Sequence, residues 1–200
     1  NTSRRFTMRY TDLLMEAATT DIAVFYGGRF QPMHSGHHQV YQDLVRKFGA
    51  DNVFISTMVG KNAEAERDPF TFDEKAGLMT KMFGIPANHI IQTHPYNVDM
   101  SKAGRDPTKT AIVLVYGEKD ANRLKMGYLQ WWKDGEPLVT SDEAGYVYTV
   151  PIKDEGRSAS DFRAVMRSDA DDQKKKAVFT DFFGKFDQQV FDFIEEKLRG

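Results

Sequence analysis

Short apolar runs alternate with amphipathic, helix-spaced stretches along most of this chain, and that alternation constrains the fold more than any other feature of the sequence. The run Ile22-Ala23-Val24-Phe25-Tyr26 stops at Gly27 and Gly28 and reads as a buried strand, with a helical pattern following at 35–48. A strand-like stretch at 52–58 precedes a helical one at 72–83, and a short strand at 89–93 follows the breakers Gly84 and Pro86. Two further strands are expected at 111–116 and 143–151. Strands separated by helices pair in parallel, since each crossover returns the chain to the same end of the sheet. The expected class is therefore α/β: a Rossmann-like parallel sheet with helices on both faces, followed by a C-terminal helical segment. Ligands of such sheets collect at the carboxyl ends of the strands, where the strand order reverses.

A chain of 200 residues buries one good core. One α/β domain is expected over 21–168, preceded by a partly helical lead-in at 1–20 and followed by a helical extension at 169–200 packed on the domain. The lead-in carries one amphipathic stretch at 10–18 and no site residue, and a chain that opens on Asn1 reads as a processed or excised piece. The extension reads as an Asp- and Lys-rich break at 169–176 and then an amphipathic helix at 182–198. Lys174, Lys175 and Lys176 in the break read as a solvated face. Phe182, Phe183, Phe186, Phe191 and Phe193 give the helix more aromatic surface than one face needs, a surplus that suits a homo-oligomer.

Composition narrows the partners. Lys and Arg total 27 against 29 Asp and Glu, a net charge of -2, which gives no long-range field to recruit nucleic acid or an anionic membrane. Any phosphate must be held locally. The absence of cysteine excludes disulfides, thiolate metal sites and cysteine nucleophiles, and fits the reducing cytoplasm. The apolar runs are too short to cross a bilayer, so no membrane location is expected.

The chemistry concentrates in the first turn. Gly27 and Gly28 let the backbone bend sharply between strand and helix, and the helix start aims amide groups and its positive dipole end back at the loop. His34 and His37 flank the helix start three residues apart, so both imidazoles can face one small volume, with Gly36 leaving room for a phosphate at the backbone. A zinc site built on His34, His37 and His38 is the rival reading, weakened by the lack of a nearby cysteine to complete it and by Gly36, which serves a phosphate better than a metal. His38 reads as a helix-surface residue, and His89 and His94 as residues flanking a strand end, touching substrate or capping the sheet. Trp131 and Trp132 fall in an irregular stretch at 127–137 and suit either a lid that stacks on a flat ring or core packing.

The run from Gly28 to His37 resembles the HxGH nucleotidyltransferases of the cytidylyltransferase-like superfamily, in particular their GRFQPxHxGH branch, which includes archaeal-type nicotinamide mononucleotide adenylyltransferases. Three other segments are similar in order and spacing. Asp68 to Lys75 resembles NPFTxxER, Val115 to Asp120 resembles a strand-end GxxD region that lines the nucleotide cleft, and Ser158 to Arg163 resembles ISxTxxR. Arg157 and Ser160 replace the usual isoleucine and threonine, and Lys75 stands where the branch often has arginine. No RTEGIST segment is present, which separates the chain from the glycerol-phosphate and choline-phosphate cytidylyltransferases.

The resemblance implies transfer of a nucleoside monophosphate, adenylyl rather than cytidylyl by preference, from ATP or CTP to a phosphorylated small-molecule acceptor such as nicotinamide mononucleotide. Pyrophosphate would leave by in-line displacement, with Mg2+ carried largely by the nucleotide. His34, His37 and Arg163 are the implied catalytic residues. Gly27, Gly28, Arg29, Phe30, Gly36, Gly117, Asp120, Ser158 and Ser160 are the implied nucleotide and phosphate contacts. Ser158 and Ser160 at a helix start and Arg163 one turn on also form a plausible anion site on physical grounds alone. A different acceptor or base on the same scaffold, and a nucleotide-binding module without catalysis, are the alternatives.

Overall fold

In a computed structural model, the structure describes residues 20–60, 64–122, 124–151 and 158–199. The lead-in at 1–19 and Arg157 lie outside the described residues. The chain forms β1 (Asp21–Gly27), α1 (Ser35–Phe48), β2 (Val53–Thr57), α2 (Phe72–Phe83), β3 (Ile90–Gln92), β4 (Thr110–Gly117), α3 (Glu118–Ala121), β5 (Leu129–Trp131), β6 (Gly145–Val150), α4 (Ala159–Arg167), α5 (Asp172–Phe183) and α6 (Gln188–Arg199).

The strands pair in parallel as one six-stranded sheet in the order β3-β2-β1-β4-β6-β5. The strand order reverses between β1 and β4, where Tyr26 lies opposite Val115. Every residue of β4 is buried, as a central parallel strand covered on both faces requires. Side chains alternate between two cores. Val24, Tyr26, Ile55, Val113 and Val115 pack under α1 and α2. Phe25, Phe54, Ile112, Leu114 and Tyr116 point the other way, covered by Met100 on a short 3-10 turn and Ala121 on α3. Long helices thus cover one face and short helical pieces the other.

The C-terminal helices add a third layer outside α2. Phe70, Leu78, Met82, Phe162, Phe179, Phe182, Phe183 and Phe191 share one apolar cluster. Lys197 on α6 pairs with Glu74 on α2 at 2.8 Å, tying the last helix to the second. Among the described residues no helix is long and apolar enough to cross a membrane.

Three sequence expectations are corrected here. The break lies at 168–171 rather than 169–176, because Asp171 accepts a hydrogen bond from the Lys174 amide and starts α5 there. Lys175 consequently lies on the inner face of α5, fully buried and paired with Glu195 at 3.0 Å, instead of on a solvated surface. The helix expected at 182–198 is two helices, since Gly184 ends α5 in the left-handed conformation (φ 76°) and the Asp187 carboxylate accepts from the Val190 amide at the start of α6. The apparent aromatic surplus of a single helix is therefore shared between two, and Phe186 alone of those five phenylalanines is 40% exposed. β5 was not anticipated; it is a three-residue edge strand inside the irregular stretch.

Candidate functional site

The carboxyl ends of β1 and β4 open into a cleft of about 280 Å³. β1 and its loop supply Gly27, Gly28, Arg29 and Phe30; α1 supplies His37; the end of β4 and α3 supply Gly117 and Asp120; the start of α4 supplies Ser158, Ser160 and Arg163. The structure thus brings together residues drawn from three separate sequence segments. A wider apolar hollow beside Thr180 on α5 and Phe186 just beyond it holds none of these groups.

The loop is shaped by close packing. A Cβ on Gly28 would fall 2.5 Å from the Phe30 ring, so only glycine lets that ring fold back over the strand end. Phe30 itself has φ 47°, uncommon for a residue with a side chain. Its ring meets those of Tyr26 and His37 edge to face, at 5.4 and 5.2 Å. Gln31, to which the sequence assigned no role, fixes the next residue: its Nε2 donates to the Phe70 carbonyl (2.9 Å) and its Oε1 accepts from the Phe70 amide (3.0 Å).

The two histidines form a reciprocal cap. His34 Nδ1 accepts from the amides of Gly36 (3.1 Å) and His37 (3.4 Å), while His37 Nδ1 accepts from the His34 amide (3.4 Å). This is a capping box with imidazoles in place of the usual hydroxyl and carboxylate. With both Nδ1 atoms accepting, each neutral ring carries its proton on Nε2. The rings lie 3.7 Å apart, centre to centre. Burial, and then the neighbouring His34, lower the His37 pKa to about 3, so His37 is a neutral donor at physiological pH.

This geometry corrects the expectation of free helix-start amides. The Gly36 and His37 amides already serve His34, and Gly36 and His34 are buried beneath the cleft, which His37 lines. At α4 the Ser158 hydroxyl similarly accepts from the amides of Ser160 (3.2 Å) and Asp161 (3.3 Å). What the cleft offers an anion is side-chain donors.

Arg163 is the most constrained of them. It is buried, its Nη1 donates to the Gln31 carbonyl (2.6 Å), Nη2 lies 3.4 Å from Ser160 Oγ, and its Nε is buried without a hydrogen-bond partner. Burial lowers its pKa, as do the charges of Arg167, Arg29 and Arg67, with Asp68 opposing them. The guanidinium groups of Arg167, Arg29 and Arg67 thus lie close enough to act on that of Arg163, opposed by the Asp68 carboxylate, itself 3.8 Å from Arg29. A concentration of positive charge of this kind awaits a polyanion. Arg67 and Arg167, which act on Arg163 without lining the cleft, were not singled out from the sequence because their segments carry no distinctive spacing.

Lys75 is a further residue whose part the sequence did not show. Its ammonium is buried and donates to Thr57 Oγ1 (2.7 Å), the Arg29 carbonyl (3.0 Å) and the Met58 carbonyl (3.2 Å). The other singled-out residues fall away from the cleft. His38 stacks on Phe83, and His89 stacks on Phe54 with Nδ1 2.9 Å from the Val53 carbonyl. Exposed His94 accepts from the Tyr96 amide. Trp132 packs on Phe48 and Tyr148, while Trp131 stands half-exposed on the edge strand. His34 and His37 turn their Nδ1 atoms to backbone amides and His38 turns to Phe83, and among the described residues no group of three or more His, Asp or Glu could hold a metal ion.

A parallel sheet with a cation-lined cleft at its strand reversal defines a Rossmann-like α/β protein. The chain belongs to the cytidylyltransferase-like family, whose family model matches residues 25–165. A nicotinamide-nucleotide adenylyltransferase of Methanothrix thermoacetophila is 34% identical over 55 residues, 28% of this chain and 31% of that protein. The chain therefore spans about a third of the length of the curated relatives that match it in this way. An enzyme of the same name from Sulfurisphaera tokodaii is 29% identical over 128 residues, 63% of this chain and 67% of that one. Among solved structures, a bifunctional NMN adenylyltransferase/ADP ribose pyrophosphatase from Francisella tularensis, complexed with AMP and a Mn ion, superposes with TM-score 0.53 at 16% identity. It covers 90% of this chain and 50% of that one, a likeness of fold.

Proposed function

We propose that this protein transfers the adenylyl group of ATP to the phosphate of nicotinamide mononucleotide and releases pyrophosphate. The observation that carries the reading is the convergence, in one cleft, of the Nε2-protonated His37 with buried Arg163 and its partnerless Nε. The names of the archaeal relatives support the base and the acceptor.

In this reading the acceptor phosphate attacks the α-phosphorus directly, the α–β bridging bond breaks, and pyrophosphate departs with the electron pair. Catalysis is positioning and charge stabilisation. His37 donates through Nε2 to a phosphate oxygen as charge builds, and loses no proton in doing so. His34 holds that ring in its donating tautomer and starts α1 in register. Arg29, Arg163, Ser158 and Ser160 take the outer phosphates that become pyrophosphate. Gly27, Gly28 and Phe30 form the floor, and Gly117 and Asp120 face the nucleoside end. A divalent cation such as Mg2+, carried by the nucleotide, would supply charge neutralisation at the phosphates; among the described residues no group of three or more His, Asp or Glu gathers to hold it in a protein cage.

The test is pyrophosphate release with Mg2+, crossing ATP and CTP against nicotinamide mononucleotide and other phosphorylated acceptors, with the product weighed by mass spectrometry. A dinucleotide from ATP and nicotinamide mononucleotide alone is expected. A product only from CTP, or only with another acceptor, contradicts the assignment; nucleotide binding without any product contradicts catalysis itself.

A further inference from the structure

We infer that Lys75 is a positioning residue, whose buried ammonium ties the backbone of the phosphate-facing loop at Arg29 to the end of β2 and thereby sets where a bound triphosphate rests. The inference rests on the proposed nucleotide site, and concerns a residue that does not touch the nucleotide.

Lys75 lies in the first half of α2, more than forty residues beyond the loop it holds. All three ammonium hydrogens have acceptors: the Arg29 carbonyl on the loop, Thr57 Oγ1 on β2 and the Met58 carbonyl just beyond it. No hydrogen remains for a phosphate, which separates Lys75 from the arginines around it. Thr57 Oγ1 also donates to the Arg29 carbonyl at 3.3 Å, so that one carbonyl is gripped from β2 and from α2 together. On either side of the grip stand Gly28, which admits no side chain, and Phe30 with its positive φ. The strand end, Lys75, the Gln31 pairing to Phe70 and the Arg163 bond to the Gln31 carbonyl thus hold the loop at four points.

Neutralising this amine removes one of three donors and forces one acceptor to go without. Two charged groups act on the ammonium: Asp68 favours its charge and Arg29 opposes it, while burial, the largest influence, lowers its pKa to about 8. Nearby groups do not titrate in the same window, since His37 is held near 3 and burial raises Tyr26 and Tyr116 above the ordinary tyrosine value. The grip is complete below about pH 8 and loosens above it.

The experiment is calorimetric binding of the Mg2+ complex of a non-hydrolysable ATP analogue between pH 7.5 and 9.5, for wild type, Lys75→Arg and Lys75→Met, with pyrophosphate release run in parallel. Wild-type affinity is expected to fall by about tenfold across this range, the worth of one lost charged hydrogen bond. Lys75→Met should be weak and independent of pH, and Lys75→Arg should bind at least as well as wild type at pH 9.5, since its guanidinium keeps its charge. A flat wild-type profile, or wild-type affinity in a folded Lys75→Met, overturns the inference. If Lys75→Met does not fold, the wild-type profile decides alone. A pH step in binding without pyrophosphate release would remove the proposed reaction and leave the positioning role standing; no analogue binding at any pH would remove both.

Discussion

His37 and Gly28 show how single atoms govern this cleft. A histidine whose folded pKa lies near 3 stays neutral while the unfolded chain, at about 6.5, takes up a proton. Below pH 6.5 the unfolded state therefore binds more protons, and stability falls as pH drops toward 3. His37→Asn keeps an N–H donor and removes the titration, so its stability relative to wild type should rise by at least about 1 kcal/mol between pH 7 and 4 in urea unfolding. An unchanged difference would mean that His37 is not held neutral by burial. At Gly28, the missing Cβ makes room for the Phe30 ring, itself pinned by Tyr26 and His37. Gly28→Ala should raise the KM for nucleotide by about tenfold or more, with about 1–3 kcal/mol lost in stability, as overpacking commonly costs. Gly27 and Gly28 were legible in the sequence as the end of the first strand, although the turn expected there falls at Gln31 and Pro32. The partners of Gln31, Lys75 and Arg163 were not, because each bond joins residues distant in sequence, and no local pattern encodes the meeting.

Helix starts and stops decide how those residues meet. α1 and α2 have the bounds expected from sequence because apolar periodicity and caps coincide, as in the Thr71–Glu74 box that opens α2. α5 and α6 merged in the sequence reading because the aromatic residues of both share one spacing across Gly184, and the break there depends on a glycine and the Asp187 cap. β5 escaped because three residues on a sheet edge carry no periodicity. The cap on α1 is also the site's support, and the two duties can be separated. His34→Ser keeps a capping acceptor and loses the ring, whereas His34→Ala loses both; Ala should melt lower than Ser by about 1 kcal/mol of cap energy, with kcat reduced in each. Equal stability would mean that the imidazole cap contributes nothing to α1.

At the scale of the whole molecule, the sheet, α1, α2 and the C-terminal helices form two adjoining cores bridged by α2. We propose that the segment expected as an extension is a structural wall of the catalytic unit, because Phe162 on α4 stacks on Phe182 of α5 at 4.1 Å and α4 carries Arg163. Phe182 also meets His34 edge to face. Phe179→Ala, at a fully buried position among four other aromatic rings, should therefore cost about 3–5 kcal/mol and unfold sheet and helices in one transition. Two separate transitions by calorimetry would show that the C-terminal helices fold independently. Net charge, being near neutral, foretold nothing about the cleft, since a total for the whole chain does not show where Arg29 and Arg163 gather.

The most direct test compares wild type with His37→Ala for adenylyl transfer from ATP to nicotinamide mononucleotide, with ATP binding measured in both. A neutral Nε2 donor that acts on charge developing in the transition state predicts kcat lower by about a hundredfold or more in the variant, with ATP affinity changed by less than about fivefold. A variant that binds ATP poorly but retains wild-type kcat would make His37 a ground-state contact. A variant with both quantities unchanged would contradict the assignment of this cleft as the site of the reaction.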